Sequence, residues 1–316
     1  MKFPMKWPML TISLILAAAC NGGGRLYKEK MIHDSYGLIK KDAVRVTWMG
    51  TAGLYVTDGE TGFFIDPFVS RYGLMKVLWG SPLSPQHQTI QDWINRVGCH
   101  HADAVIVSHS HYDHALDAPF FALKTGAQLI GSGSTAWIGR GAGLSENQIK
   151  IVRGGDRISL GKFEVVFIKS RHSKAVLGRV PWPGEITAPL IPPAAASDYR
   201  LGEIFSLFVT HPGSSFVHLG SAGYFEDMFV GMEAHTVFLS IAGREDSQNL
   251  LRCTALPLKA KQIIPIHFDN FFKPLDEEAT MIWGVDMPEF FETASMVAPD
   301  IAVRTMAIGR EFLLFQ

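Results

Sequence analysis

The residues best able to do chemistry in this 316-residue chain lie together, in His109-Ser110-His111-Tyr112-Asp113-His114. They follow the apolar run Ala104-Val105-Ile106-Val107, which reads as a buried strand. Three imidazoles and a carboxylate within six positions each need a polar partner once withdrawn from water, and a divalent cation serves all of them. Imidazole nitrogen and carboxylate oxygen without thiolate select Zn2+ first and leave Mn2+ and Fe2+ open. In a tight turn after a strand, His109 and His111 point the same way and suit one ion. Asp113 and His114, displaced along the turn, suit a second. Two ions ~3.5–4 Å apart can share a hydroxide and clamp both the attacked and the leaving oxygen of a hydrolysed group. The competing reading is a His-rich surface turn in which Asp113 caps the helical stretch Pro119 to Lys124.

The pattern His109-x-His111-x-Asp113-His114 resembles the signature of the metallo-β-lactamase-fold hydrolases. Val44-Arg45-Val46-Thr47-Trp48-Met49-Gly50-Thr51-Ala52-Gly53 and Phe63-Phe64-Ile65-Asp66-Pro67-Phe68 resemble the opening hairpins of one branch, that of L-ascorbate-6-phosphate lactonase and N-acyl-phosphatidylethanolamine phospholipase D. The likeness spans most of residues 43 to 275. It implies an α/β fold of four layers, the αββα sandwich, with metal ligands in loops at one edge of two sheets. It further implies that His172, in Ser170-Arg171-His172-Ser173, completes the first ion's set with His109 and His111. His267, in Ile264-Pro265-Ile266-His267, completes the second with Asp113 and His114. Asp66 would sit beneath the metal loop and accept a hydrogen bond from it, and Asp113 would act in catalysis by orienting the attacking water.

One position departs from the family. Where most members carry an aspartate bridging both ions, this chain has Ser221, in His218-Leu219-Gly220-Ser221. A serine hydroxyl is neutral and a weak ligand, so the site loses an anionic link and should hold its second ion less well or attract an anionic ligand such as phosphate. Glu226, Asp227, Asp246 and Asp269 are the carboxylates at hand to compensate. Asp269 is expected behind the ligands or as a proton donor, with a helix or loop cap as the plain alternative. The resemblance implies hydrolysis of an ester-like bond by metal-bound hydroxide, a phosphodiester or phospholipid leading and a lactone next. β-Lactam cleavage trails, because a shared fold does not specify a substrate. A metal-binding lipoprotein without turnover is the alternative of a different class.

The N-terminus carries a second signal. Met1-Lys2-Phe3-Pro4-Met5-Lys6 is basic, Leu10 to Ala19 is apolar, and Ala17-Ala18-Ala19 lead into Cys20. The apolar stretch is shorter than the ~20 residues a membrane span needs. It reads as an export signal over residues 1–19, and its ending resembles a lipobox in which Cys20 is lipidated. Residues 20–42 would then form a tether and extension, and 43–316 the hydrolase domain. The expected location is a membrane surface reached through the lipid, on the periplasmic face of the outer membrane in a two-membrane cell. An ordinary secretory signal is the alternative.

The remaining composition is that of one globular domain: 47% hydrophobic, 19% charged, formal net charge -1. No basic stripe or charge block suggests nucleic acid. Partners are therefore a small-molecule or lipid-like substrate and a membrane. Cys99 and Cys253 read as buried free thiols, with pairing in an oxidising compartment left open.

Several elements must position these residues. Val44–Met49, Leu54–Thr57 and Phe63–Ile65 read as an antiparallel meander turning at Asp58-Gly59-Glu60. Residues 85 to 97 form an amphipathic helix, Gly126 to Ile130 a strand, Ser134 to Gly139 a short helix, and Phe163 to Ile168 the strand that delivers His172. His211 is placed in a hairpin turn between Phe205–Val209 and Phe216–Leu219. Val237–Ser240, a helix over Ser247 to Ala260, and Gln262–Ile266 read as βαβ. His218 and His235 are expected as core imidazoles, and His100 and His101 as solvent-facing. Lys174 to Gly202, interrupted by five prolines, can be neither helix nor central strand. It reads as a lid with Trp182, Leu190, Ile191 and Tyr199 forming an apolar wall, or as a belt over a sheet edge.

Overall fold

A computed structural model describes residues 24–32, 43–275 and 279–315. The signal segment and Cys20 lie outside the described residues. One sheet contains β1 (Val44–Trp48), β2 (Leu54–Thr57), β3 (Gly62–Ile65), β4 (Ala104–Ile106), β5 (Gln128–Gly131) and β6 (Ile149–Ile151). The other contains β7 (Arg157–Leu160), β8 (Phe163–Lys169), β9 (Phe205–His211), β10 (Ser214–Leu219), β11 (Thr236–Ser240), β12 (Gln262–Ile266) and β13 (Ala302–Val303). The last strand, β14 (Glu311–Phe315), joins the first sheet beside β1, giving orders β14-β1-β2-β3-β4-β5-β6 and β13-β12-β11-β10-β9-β8-β7. Each sheet is mixed: β3 to β6 and β10 to β13 are parallel, and the other neighbours are antiparallel.

The alternation of side chains along the strands builds the layers. In β3, Phe63 reaches Phe163 of the opposite sheet at 5.2 Å between ring centroids, while Phe64 turns outward to Phe121 at 4.9 Å. Besides the helical residues 24–29, the helices are α1 (Leu74–Leu78), α2 (His87–Val97), α3 (Tyr112–Ala115), α4 (Ala118–Thr125), α5 (Gly133–Gly141), α6 (Ser247–Cys253) and α7 (Met287–Val297). α2 packs on α4, α4 and α5 pack on the first sheet, and α6 packs on α7 in and beyond the crossover between parallel β11 and β12. This is the αββα sandwich expected from the sequence. Among the described residues no helix is long and apolar enough to cross a membrane.

Three local expectations are corrected. α6 stops at Cys253 rather than Ala260, because Pro257 lacks an N–H and would clash one turn back. His211 ends β9 and pairs with Ser214, so the turn itself is Pro212-Gly213, with Gly213 at φ +108°. Cys99 is buried as expected but Cys253 only half-buried, and both are free thiols. Residues 24–32, assigned to the tether and extension, are packed onto the domain: Tyr27 is buried, donates to Met306 O at 2.8 Å and meets the Phe268 ring edge to face.

Candidate metal centre

The six sequence-predicted ligands, and with them Asp66 and Ser221, lie just beyond the carboxyl ends of strands. Asp66 follows β3, the His109–His114 loop follows β4, His172 follows β8, Ser221 follows β10 and His267 follows β12. Within each sheet these strands run the same way, so their ends share one edge. β4 is short and wholly buried, which delivers His109 directly from the core into the loop. Two glycines let the second sheet's loops close on this edge. A Cβ on Gly220 would lie 2.3 Å from Ser108 Oγ and 2.9 Å from Asp66 Oδ2, and one on Gly223 would lie 2.2 Å from Arg171 O.

The chain brings the six ligands together as two triads, His109–His111–His172 and Asp113–His114–His267, with ligand atoms in each within 4.8 Å of one another. His109 and His114 are linked by ring centroids 3.9 Å apart, which joins the triads into one centre. His267 Nε2 lies 3.3 Å from Asp113 Oδ2. Four of the five imidazoles have a partner behind them, Ser108 Oγ lying 3.2 Å from His109 Nδ1, whereas His267 Nδ1 is buried without one. His114 Nδ1 donates to Asp66 Oδ2 at 2.9 Å, His172 Nδ1 to Ser173 O at 2.7 Å, and His111 Nε2 to Pro181 O at 3.0 Å. The second nitrogen of each ring is thereby left to face the centre. His109 Nε2 and His114 Nε2 are buried with no hydrogen-bond partner. Buried polar atoms in that condition are costly, and an ion among them removes the cost, so these residues fit a divalent metal.

Electrostatics agree. Burial, then the neighbouring imidazoles, push His109 far below its ordinary value. Burial and His172 bring His111 down to about 3, and burial brings His172 down to about 4. These rings are neutral ligands at neutral pH. Burial alone would raise the Asp113 carboxyl, but His114, His267 and His111 outweigh it and hold it well below the usual carboxylate range. Burial likewise acts to lower His114, and Asp66 with Asp113 reverses it.

Asp66 takes the place expected of it. Fully buried at φ +45°, it accepts Ser108 N–H at 2.6 Å, Ser108 Oγ–H at 2.5 Å and the His114 ring. Ser221 Oγ accepts Ser173 N–H at 3.1 Å, so the serine steadies the loop that carries His172. None of the four carboxylates considered as compensation joins a triad. Glu226 and Asp227 are exposed, and Asp246 caps α6 through Gln248 N–H and Asn249 N–H. Asp269 is not placed as a proton donor: its Oδ1 accepts Thr51 N–H at 2.7 Å and its Oδ2 faces Arg71 Nη2 at 3.2 Å. Thr51 O in turn accepts His267 N–H at 2.8 Å, so Asp269 acts on the centre by fixing the turn that holds this ligand. Thr51, Asp66 and His267 all have positive φ, a concentration of backbone strain at one site.

Sequence reasoning missed Arg71 and Asp117. Asp117 Oδ2 accepts Val69 N–H and Ser70 N–H, each at 2.7 Å, and so ties the metal loop to the segment after β3. Arg71 is fully enclosed, lies over the Phe68 ring and pairs with Asp269; burial lowers its pKa against the pull of Asp269. A charged residue closing the apolar segment after Asp66, and a further carboxylate three positions after His114, were the available signals. Arg71→Met strands the Asp269 carboxylate in the interior and is expected to cost about 3–5 kcal/mol. Denaturant unfolding at neutral pH measures it, and a loss under about 1 kcal/mol would show that the pair contributes little.

The Pro-rich segment has no regular structure beyond a 3-10 turn at Ala196–Asp198 and is anchored on the centre. Besides Pro181 O on His111, Leu201 O accepts Ser110 N–H at 3.0 Å and the Trp182 ring stands 5.9 Å from His111. Tyr199 is buried and Leu190 half-buried, whereas Ile191 is exposed, so the expected wall is built chiefly by Trp182. His218 is a core imidazole bonded to Ala52 O, His235 is half-buried, and His100 and His101 face solvent.

A family model described as the beta-lactamase superfamily domain matches residues 61–269. The chain is 27% identical over 236 residues to a UPF0173 metal-dependent hydrolase of Thermoplasma volcanium, covering 72% of this chain and 85% of that protein. It is 28% identical over 280 residues to one of Nitratidesulfovibrio vulgaris, covering 85% and 95%. The solved structure of Igni18, a metallo hydrolase from Ignicoccus hospitalis, matches with a TM-score of 0.55 at 20% identity, covering 85% of this chain and 97% of that one. With the family model covering most of the sandwich and both triads at its strand ends, the chain belongs to the beta-lactamase superfamily and has the metallo-β-lactamase fold.

Proposed function

We propose that the protein is a metal-dependent hydrolase of an ester-like bond, a phosphodiester or phospholipid before a lactone. The observation that carries this reading is the pair of adjoining triads in which the buried Nε2 atoms of His109 and His114 have no partner within the protein. The relatives described as metal-dependent hydrolases support the reaction class. His109, His111 and His172 would hold one ion and Asp113, His114 and His267 the other, Zn2+ being the best match to these donors. Such ions supply Lewis acidity and lower the pKa of a coordinated water. The chain's own residues do the rest. Asp66 keeps His114 in a single tautomer, Asp269 fixes the His267 turn, and Trp182 covers His111 against solvent. Asp113, held ionised, is the acceptor available to orient an attacking water.

A cavity of about 390 Å³ opens beside His172, lined in part by Arg171, Lys174, Val180, Ile204 and Tyr224. Its size suits a small organic ligand; Glu203 and Glu245 also line it, and Lys174 Nζ pairs with Glu245 at 3.3 Å, so the charge available to an anionic group comes chiefly from Arg171 and Lys169. The test is turnover of bis(p-nitrophenyl) phosphate, a long-chain phospholipid and a lactone by zinc-loaded protein. Activity on the first two that disappears on chelation is expected. Stoichiometric metal with no turnover of any of them would favour a binding protein.

Asp113 is the only anion in the two triads, and Ser221 adds none. Ser221→Asp is therefore expected to tighten the more weakly held ion by about tenfold or more. Competition with a chromophoric chelator measures this; unchanged affinity would mean that this position does not face the ions.

A further inference from the structure

The loops that leave the metal-bearing edge carry an unusual share of exposed apolar side chains. After β3 and Asp66 comes α1, where Leu78 is exposed and the following Trp79 is 75% exposed. After β8 and His172 comes Leu177, 97% exposed. After β12 and His267 comes Trp283, 87% exposed, on a segment held to the site by Ile282 N–H donating to Phe268 O. Ile191 of the Pro-rich segment is exposed as well, and that segment is joined to the chain after α1 by the Leu83–Ala194 bridge. Isolated exposed apolar residues need no explanation, but several large ones rimming one edge do.

We infer that this edge is an interfacial face that seats on a lipid bilayer, with the metal centre opening toward the membrane. Two further observations select lipid as the occupant. Exposed Lys76, Arg171 and Arg179 share these loops with the apolar residues against exposed Glu185, Lys174 being paired with Glu245 at 3.3 Å, and Lys76 lies over the Tyr72 ring at 4.4 Å; apolar and aromatic side chains with an excess of cations match an anionic headgroup region. The second observation is the place where the N-terminal segment meets the fold. Tyr27 packs on Phe268, next to His267, and Phe268 packs on Trp48 at the β1 end of the same edge. Cys20 precedes Gly24 by four residues, roughly 14 Å of extended chain at most. A lipid on Cys20 would thus hold this edge, rather than the opposite one, against the bilayer. This part of the argument rests on the lipoprotein reading; the apolar rim does not.

The face also bears on the substrate. A lipid entering from the bilayer would reach the centre without crossing bulk water, the arrangement expected for a phospholipid rather than a soluble diester.

The test uses the full mature chain in vesicles of phosphatidylcholine and phosphatidylglycerol whose acyl chains are brominated, with tryptophan fluorescence as readout. Quenching is expected in the wild type, and Trp79→Phe with Trp283→Phe, which keeps the apolar surface but removes the reporters, should abolish roughly half or more of it. Leu78→Ser with Trp79→Ser should reduce quenching of the remaining Trp283 while the thermal midpoint is unchanged, since these side chains are exposed. A wild type whose Trp79 and Trp283 are unquenched overturns the inference. So does concentration-dependent dimerisation removed by the same serine variants without quenching, which would place a second copy on this face. Turnover of bis(p-nitrophenyl) phosphate, a long-chain phospholipid and a lactone on the same samples reports on the hydrolase reading alone: absence of all three activities with quenching intact sinks that reading and leaves the lipid-facing edge supported.

Discussion

Asp66→Ala is expected to lower metal affinity at the Asp113–His114–His267 triad by about 10–100-fold. The carboxylate touches no candidate ion, yet it accepts from Ser108 N–H, Ser108 Oγ–H and His114 Nδ1–H, all of them buried. Its loss frees His114 to adopt the other tautomer, in which the nitrogen facing the centre carries a proton and cannot bind metal. It also strands donors in the interior at about 1–3 kcal/mol each, so the unfolding free energy should fall by several kcal/mol. Asp66→Asn separates the two effects, since it keeps one acceptor oxygen while presenting an amide donor to a group that already donates. It should retain most of the stability lost in the alanine variant and still bind metal weakly. Chelator competition and denaturant unfolding on the same preparations give both numbers. Unaltered affinity in Asp66→Ala would mean that this hydrogen bond does not control the ligand.

The second large effect is on stability with and without metal. Zn2+ binds the folded triads and has no assembled site in the unfolded chain, so a free concentration 1,000-fold above the dissociation constant should raise stability by about 4 kcal/mol. For a domain of this size that is a rise of several degrees in thermal midpoint, reversed by chelator. The pH dependence follows from the imidazoles. In the metal-free protein His111 is lowered to about 3 and His172 to about 4, each from an ordinary value of 6.5. Between the unfolded and folded values the unfolded chain holds more protons, so this contribution is fully present above 6.5 and is lost as pH falls through the folded values. His114, raised by Asp66 and Asp113 against burial, acts in the opposite sense but is one ring against three, because His109 is also lowered. The metal-free protein should therefore destabilise progressively between about pH 6.5 and pH 4. A stability flat across that window would contradict the buried, neutral state of these rings.

Much of this was legible in the sequence because the decisive features are local. A wholly apolar strand followed at once by His109-x-His111-x-Asp113-His114 announces a site by composition alone. Parallel strands buried on both faces, such as β4 and β11, read as continuous apolar runs, so the core strands were found close to their true bounds. Long-range pairing was not readable in the same way. His172 and His267 are single histidines in unremarkable surroundings and came only through the family resemblance. Arg71 meets Asp269 across almost two hundred positions, and nothing near either residue specifies the other. The overlong α6 shows the remaining weakness: helical spacing continued past Cys253, and Pro257 was outweighed by pattern. Pro181 lies in a segment with no periodicity at all, and its carbonyl is nonetheless the group that orients His111.

Two ions held by side chains from both sheets would make up the centre. Anomalous diffraction from zinc-loaded crystals, recorded on both sides of the zinc absorption edge, tests it most directly. Two peaks are predicted, one within bonding distance of His109, His111 and His172 and one of Asp113, His114 and His267, the second weaker because Ser221 contributes no charge. Peaks elsewhere, or no ion in contact with His172 and His267, would contradict it.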